Sequence, residues 1–246
     1  MNKKVLAINS SKRKRNTYGL LINIKEQFKK NNIDVDIINL HDYNIELCTG
    51  CESCILKDKC FLDDDMDILM EKLQEYDGII LSTPIYLNNI SGRLKMFIDR
   101  TCRWVHRPAL AGIPMMNVVT TSSSGISNTV KYMDNVAIQW GAFPTDNISR
   151  KITTMNEEIE PKEYKKFVEH LMMKKESYKP SIQQLIYFSV SKVLALKVIK
   201  RDAKYWDEKG WLSRNYFYDA KINIFKKVIA NRFYNMLYKK VNRVEE

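Results

Sequence analysis

Glycine, proline and histidine are scarce in this chain: eight, six and three among 246 residues. So few breakers exclude a collagen-like or low-complexity polymer, and a hydrophobic fraction of 45% supplies a globular core. His41, His106 and His170 are scattered, with neither a His-x-x-x-His pair nor a triad around them. Ser-His-Asp groupings, paired catalytic carboxylates, Walker loops and the G-x-G-x-x-G fingerprint are all missing, so no common hydrolytic or dinucleotide site is visible. We find no internal repeat. The opening residues MNKKVLAINS run straight into a strand without the longer apolar stretch of a secretory signal, and the expected setting is cytoplasmic and reducing.

The formal net charge of +11 is unevenly placed. Residues 1–160 hold 20 Lys/Arg against 20 Asp/Glu, whereas residues 161–246 hold 20 against 9 and carry the whole excess. The asymmetry predicts a boundary near Pro161 and a separate physical job for the tail.

Strands and helices alternate. Lys3 to Ile8, Val35 to Leu40, Gly78 to Leu81, Ile113 to Thr121 and, more weakly, Gly141 to Ile148 read as strands, with Pro144 at an edge or bulge. Leu20, Ile24 and Phe28 predict a helix after Thr17; Met66, Leu69, Met70 and Leu73 predict another, with Asp63, Asp64 and Asp65 at its positive end. Leu94, Phe97, Ile98 and Cys102 share the face of a helix that starts at Ser91-Gly92-Arg93, and residues 125–139 form a further helix. Such alternation implies right-handed βαβ units and a parallel sheet, whose ligands lie beyond the carboxyl ends of the strands.

Three loops leave those ends. The first, Asn9-Ser10-Ser11-Lys12-Arg13-Lys14-Arg15-Asn16-Thr17, sets hydroxyls, an amide and cations before a helix N-terminus, as a phosphate monoester requires. Pro84-Ile85-Tyr86-Leu87-Asn88-Asn89 offers a stacking ring and loop N–H donors. Thr121-Ser122-Ser123-Ser124-Gly125 is rich in hydroxyls. Taken singly, each also reads as an ordinary surface loop or turn.

Cys48-x2-Cys51-x2-Cys54-x5-Cys60 places four thiols in thirteen residues after the second strand. Repeated two-residue gaps suit a cubane iron–sulfur cluster, whereas structural zinc more often uses two pairs separated by a long stretch. Free thiols or a redox-active disulfide remain open alternatives, as does zinc. Cys102, on an apolar helix face, reads as core.

Asp77 to Arg100, DGIILSTPIYLNNISGRLKMFIDR, resembles the NADPH-dependent FMN reductase-like branch of the flavodoxin-like superfamily. In that branch a Ser/Thr-Pro-x-Tyr loop wraps the isoalloxazine ring and a helix of this pattern follows. The resemblance covers roughly residues 1–150. It implies an α/β fold, a flavodoxin-like doubly wound five-stranded parallel sheet over residues 1–160, with a basic helical C-terminal extension over 161–246. It also implies FMN, one phosphate loop and no dinucleotide fingerprint arguing against FAD. The implied cofactor-binding residues are Ser10, Ser11, Arg13, Asn16, Thr17 and Tyr18; Pro84, Ile85, Tyr86, Leu87 and Asn88; and Thr121, Ser122, Ser124 and Gly125. Ser10 stands where the family has glycine, and the first loop is a residue shorter than its commonest form. No catalytic side chain is expected, because the flavin carries the reaction; Lys95, Asp99 and Arg100 read as packing and ion-pair residues.

The cysteine run resembles the compact motif of iron–sulfur flavoproteins, in which Cys48, Cys51, Cys54 and Cys60 would hold a [4Fe–4S] cluster that passes electrons to FMN. Phe61 replaces the proline that often follows a ferredoxin's last cysteine. The implied function is an FMN-dependent oxidoreductase, cytoplasmic and homo-oligomeric (dimer or tetramer). It would pass electrons from NAD(P)H, or from ferredoxin through the cluster, to a small acceptor such as a quinone, a nitro- or azo-aromatic or free flavin. The alternatives are an electron-transfer carrier without a substrate of its own and a flavin-free interaction protein.

In the tail, Ile182, Leu185, Ile186, Val193 and Leu196 predict one helix, and Ile222, Phe225, Ile229, Phe233 and Leu237 another whose apolar face packs on the first domain or a second subunit. Between them, Tyr205-Trp206…Gly210-Trp211…Tyr216-Phe217-Tyr218 either joins that packing or covers a partner subunit's flavin. The positive charge suits an acidic electron carrier or, through Ser181 to Lys200, an anionic lipid surface. Nucleic acid is not expected, since no recognition fold accompanies the charge.

Overall fold

The computed structural model describes residues 2–243. Five parallel strands, β1 (Lys3–Asn9), β2 (Ile33–Asn39), β3 (Gly78–Pro84), β4 (Pro114–Thr121) and β5 (Phe143–Lys151), form one sheet in the order β2-β1-β3-β4-β5. The central strands are near-continuous apolar runs because both faces are covered. Register pairs such as Val5 with Val35, Ile8 with Leu81 and Val118 with Ile148 keep those runs level. The weak fifth strand is the edge. Pro144 sits beside a register shift between Met115 and Asn117, as its missing N–H requires.

The connecting helices are α1 (Asn16–Lys29), the single-turn α2 (Ser53–Leu56), α3 (Met66–Leu73), α4 (Gly92–Asp99), the short α5 (Arg103–His106) and α6 (Ile126–Gln139). On one face of the sheet Leu20, Ile24 and Phe28 of α1 pack with Phe167 and Leu171 of α7 (Lys165–Met172). Phe28 stacks on Phe167 at 5.8 Å. On the other face Met66, Leu69, Met70 and Leu73 of α3 join Leu94 and Phe97 of α4, Met133 of α6 and Trp104 and Trp140. Burial of each such side chain contributes about 2 kcal/mol.

The remaining helices are α8 (Ile182–Lys197), α9 (Lys200–Glu208) and α10 (Ile224–Lys240). Leu185, Phe188, Trp206, Trp211, Tyr216, Phe217 and Tyr218 form a third core. The two tryptophans, 5.3 Å apart, are buried within this chain's own core. The buried side of the Ser181 to Lys200 segment is likewise occupied internally. The last helix departs from expectation. It packs on α8 through Ala230, while Phe233 and Leu237 are half-buried and Phe225 and Ile229 are 76% and 52% exposed. No helix among the described residues is long and apolar enough to cross a membrane.

Candidate functional site

Two sites emerge at the carboxyl end of the sheet, joined by α4. The first is a cavity of about 290 Å³ over the ends of β1, β3 and β4, lined by Ser11, Arg13, Arg15, Asn16, Pro84, Ile85, Tyr86, Thr120, Thr121 and Ser122, with Ile152 and Met155 closing one side. It lies where the strand order reverses around β1 and β3, the switch point at which such sheets bind ligands.

The first loop is shaped by its own polar groups. Asn9 Nδ2 donates to the Ser11 carbonyl and to Asn39 Oδ1, and Ser11 N donates back to Asn9 Oδ1 at 3.2 Å. Neither a side-chain cap nor an acidic first-turn residue covers the N-terminus of α1, whose first residue Asn16 lines the cavity together with Arg13 and Arg15. Ser10 and Thr17 are buried instead. Ser10 Oγ donates to the Ser82 carbonyl at 2.9 Å and accepts from Ser91 Oγ at 3.0 Å, tying the first loop to the cap of α4. Thr17 Oγ1 bonds Thr120 Oγ1. Tyr18 lies half-buried beneath the Lys14 ammonium, outside the cavity lining.

In the second loop, Tyr86 and Asn89 exchange backbone hydrogen bonds across Leu87 and Asn88, which both have positive φ (+48° and +61°). This tight turn leaves Leu87 fully exposed and Tyr86 half-exposed at the cavity rim. Left-handed backbone is uncommon for leucine, and strain of this kind concentrates at ligand clamps. Asn88 turns toward the third loop, where its Oδ1 accepts from Ser124 Oγ. Gly125, at φ +91°, fits beneath it, since a Cβ there would stand 2.8 Å from Asn88 Cα and 2.9 Å from Ile85 Cγ2. Thr121 Oγ1 donates to the Ser124 carbonyl, so Thr121 and Ser122 line the cavity while Ser124 and Gly125 shape it from behind. Arg15, Thr120, Ile152 and Met155 were not anticipated. Arg15 belonged to a cationic run with no way to rank its members, and the residues after β5 carried no signal.

The second site is a cavity of about 500 Å³ ringed by Cys48, Cys51, Cys54 and Cys60, together with Ile55, Phe61, Leu62 and Arg100. Cys102, read as core, lines it too, and burial pushes its thiol up to about 11. Burial also raises the Cys54 thiol, with Cys60, Cys48 and Cys51 adding to the shift. Among the described residues no three His, Cys, Asp or Glu side chains converge on a single ion.

Two buried arginines, seven residues apart, hold this loop to the α4–α5 segment. Arg100 donates to the Glu46 carbonyl at 2.9 Å and to Cys60 Sγ at 3.4 Å, and is gripped by Asp64 through both guanidinium nitrogens. Burial alone would raise the Asp64 carboxyl. The Arg100 guanidinium and the N–H groups of Glu46 and Met66 override it and hold the group below the usual carboxylate range. Arg107 donates to the carbonyls of Cys54 at 2.6 Å and Ile55 at 3.1 Å.

The profile described as NADPH-dependent FMN reductase matches residues 3–153. The chain belongs to that family. Among similar proteins, an iron-sulfur flavoprotein of Archaeoglobus fulgidus is 47% identical over 98 residues, 40% of this chain and 48% of that protein. One of Clostridioides difficile (strain 630) is 24% identical over 191 residues, 72% of this chain and 84% of that protein. The chain thus spans about half the length of the first of these relatives. In fold the FMN reductase-family chain resembles RosB, solved with bound 8-demethyl-8-formylriboflavin-5'-phosphate, at TM-score 0.55 and 12% identity, covering 99% of this chain and 90% of RosB. It also resembles the NADH:FMN oxidoreductase EMOB at TM-score 0.50 and 16% identity, covering 69% and 87%. These two likenesses bear on the fold, which is flavodoxin-like.

Proposed function

We propose that this chain is an FMN-dependent oxidoreductase that also carries a [4Fe–4S] cluster on Cys48, Cys51, Cys54 and Cys60. It would take electrons from NAD(P)H, or from a ferredoxin-type donor through the cluster, and deliver them to a small acceptor such as a quinone, a nitro- or azo-aromatic or free flavin. The observation that carries the reading is the convergence of the loops after β1, β3 and β4 on one cavity lined by both Arg13 and Arg15 and by Tyr86. The cavity's donor set fits FMN. Arg13, Arg15, Ser11 and the first N–H groups of α1 suit a phosphate monoester. Tyr86 and the backbone of the second and third loops suit a flat heteroaromatic ring, and these two loops pack closely because residue 125 lacks a Cβ.

FMN, when bound, supplies the hydride and single-electron chemistry. The protein's part would be to bind and orient: Arg13 and Arg15 would hold the phosphate, and loop N–H groups would favour negative charge on the ring. Tyr86 is half-exposed at the cavity rim, where a second planar molecule could stack. The cysteine cavity fits a cluster by its four thiols and largely apolar walls, and Arg100 donates to Cys60 Sγ, which stabilises a thiolate ligand. Eight-residue α4 runs from the ring loop to Arg100, a length of about 12 Å. The helix thus links the loop that lines the first cavity to an arginine that lines the second, which supports communication between the two sites.

Exposure of Cys48 and Cys51 at the cavity mouth favours a second reading, in which a protein donor reduces the cluster and the chain serves as a carrier. Anaerobic purification with FMN, iron and sulfide assays, followed by stopped-flow mixing, separates the two. Flavin bleaching by NAD(P)H alone supports the oxidoreductase, and bleaching solely by reduced ferredoxin supports the carrier. Absence of saturable FMN binding by the apoprotein would sink both.

A further inference from the structure

Asp202 lies on α9, in the extension beyond the residues matched by the family profile, and is 1% exposed. Both of its oxygens reach back across the chain: Oδ1 accepts from Arg107 Nη1 at 2.7 Å and Oδ2 meets His106 Nδ1 at 2.9 Å. One turn along α9, Trp206 Nε1 donates to the His106 carbonyl at 2.8 Å, and Tyr205 Oη bonds the Pro108 carbonyl. Arg107 is itself buried, and its remaining donors go to the cysteine loop: Nη2 to the Cys54 carbonyl, both terminal nitrogens to the Ile55 carbonyl, and an ion pair with the half-exposed Asp58 at 3.2 Å. Helix α2 is a single turn of four residues, too short to satisfy its own carbonyls. The Arg107 fork caps two of them. The other loop anchor, Arg100, has its counterion in Asp64 of the same loop region, whereas the buried counterion of Arg107 comes from the extension.

We propose that Asp202 is a positioning residue for the cysteine loop. By neutralising and aiming Arg107, the extension fixes α2 and sets the Cys54 thiol toward the cavity, and so governs how well the loop holds its cluster. Without that carboxylate a buried guanidinium would lack its compensating charge, and Arg107 would turn toward Asp58 and solvent, releasing the Cys54 and Ile55 carbonyls. The part concerning metal rests on the cluster reading above; the part concerning the loop does not.

The test compares wild type with Asp202→Asn in two states of the full chain. In anaerobically purified protein, iron and sulfide per FMN and the rate of cluster bleaching in air are measured. In metal-free protein, iodoacetamide labelling is timed and mapped to each cysteine by mass spectrometry. Asp202→Asn should bind FMN as wild type does, lose cluster faster in air, and label at Cys54 at least about fivefold faster through local opening. Gln184→Ala, which removes a buried bond to Tyr216 in the same extension without touching Asp202, should leave Cys54 protected. Asp202→Glu should restore part of the protection. Should Asp202→Asn fail to fold, Arg107→Lys carries the same expectation, since it retains the charge but loses the fork.

Unchanged Cys54 labelling in the folded variant, or equal loss in Gln184→Ala, overturns the proposal. If wild type itself holds no iron while Cys54 labelling still rises in Asp202→Asn, the loop-positioning role stands and the cluster reading falls.

Discussion

Thr17 Oγ1 and Thr120 Oγ1 lie 2.7 Å apart in a buried hydrogen bond between residues 103 apart in sequence. The bond joins the first turn of α1 to the end of β4, and so ties the first loop to a strand that borders the cavity. Thr120→Val keeps the shape and leaves the buried Thr17 hydroxyl without its partner, at a cost of about 1–3 kcal/mol. For a chain of this size that corresponds to a melting-point drop of roughly 3–10 °C. Thr17→Val should cost less, because Thr120 borders the cavity and its hydroxyl can find water. The double variant should be less than additive. Thermal melts of the three apoproteins check this, and strict additivity would mean that the bond does not couple the loops.

The two arginines in the cavity lining predict a selective effect on the phosphate. Replacing either Arg13 or Arg15 singly with Ala should remove a charge-assisted bond worth about 1.5–3 kcal/mol, or roughly tenfold to a hundredfold in affinity. FMN should weaken by that factor and riboflavin, which has no phosphate, by little. Fluorescence titration of both ligands gives the ratio. Equal losses for FMN and riboflavin would move the phosphate elsewhere.

Gly125 makes a sharper steric prediction. Its φ of +91° is strained for any other residue, and a Cβ would meet the backbone of Asn88 and the side chain of Ile85. Gly125→Ala should push the second loop toward the ring space and weaken FMN by at least about tenfold, or 1.4 kcal/mol. Ser124→Ala, which loses the bond to Asn88 Oδ1 and adds no bulk, should weaken it far less. If the two variants behave alike, crowding at residue 125 is not what shapes the cavity.

Sheet and loops were legible because the central strands are buried on both faces and read as near-continuous apolar runs, and because Leu94, Phe97 and Ile98 keep a 3.6-residue period. The same reading placed Pro84, Ile85, Tyr86, Thr121 and Ser122 where the cavity has them. It could not separate residues that face a ligand from those that hold the loop. Ser10 sits in the first loop beside Ser11, yet Ser10 bonds Ser82 and Ser91 while Ser11 borders the cavity. Periodicity also names a helix face without naming its partner. Phe225 and Ile229 repeat as a core face would, but α10 turns Ala230 inward and leaves them outside. Cys102 and Asp202 were missed for a related reason: their partners lie 40 or more residues away in sequence, and no local pattern announces such contacts.

The final prediction concerns acid stability. Arg150, at the end of β5, is buried and paired through both terminal nitrogens with Glu163, at 2.7 and 2.9 Å, while also donating to the Glu158 carbonyl. The pair pins the segment before α7 to the sheet edge. Hydrogen bonding to Arg150 holds the Glu163 carboxyl below its ordinary value despite partial burial, with the Glu160 N–H adding to the effect. A carboxylate whose pKa is depressed on folding contributes stability that is fully present above its unfolded value, near 4.5, and is lost as pH falls through the folded value. Glu163→Gln leaves a buried guanidinium half-compensated, so it should destabilise the chain by about 2 kcal/mol at pH 7, less than for a fully buried pair because Glu163 is partly solvated. The deficit should shrink as pH falls below 4.5, where wild type loses the same interaction by protonation. Denaturant unfolding of both proteins from pH 7 to pH 3 measures the difference. A deficit that stays constant across that range would show that Glu163 contributes shape and hydrogen bonding, and that its charge contributes nothing.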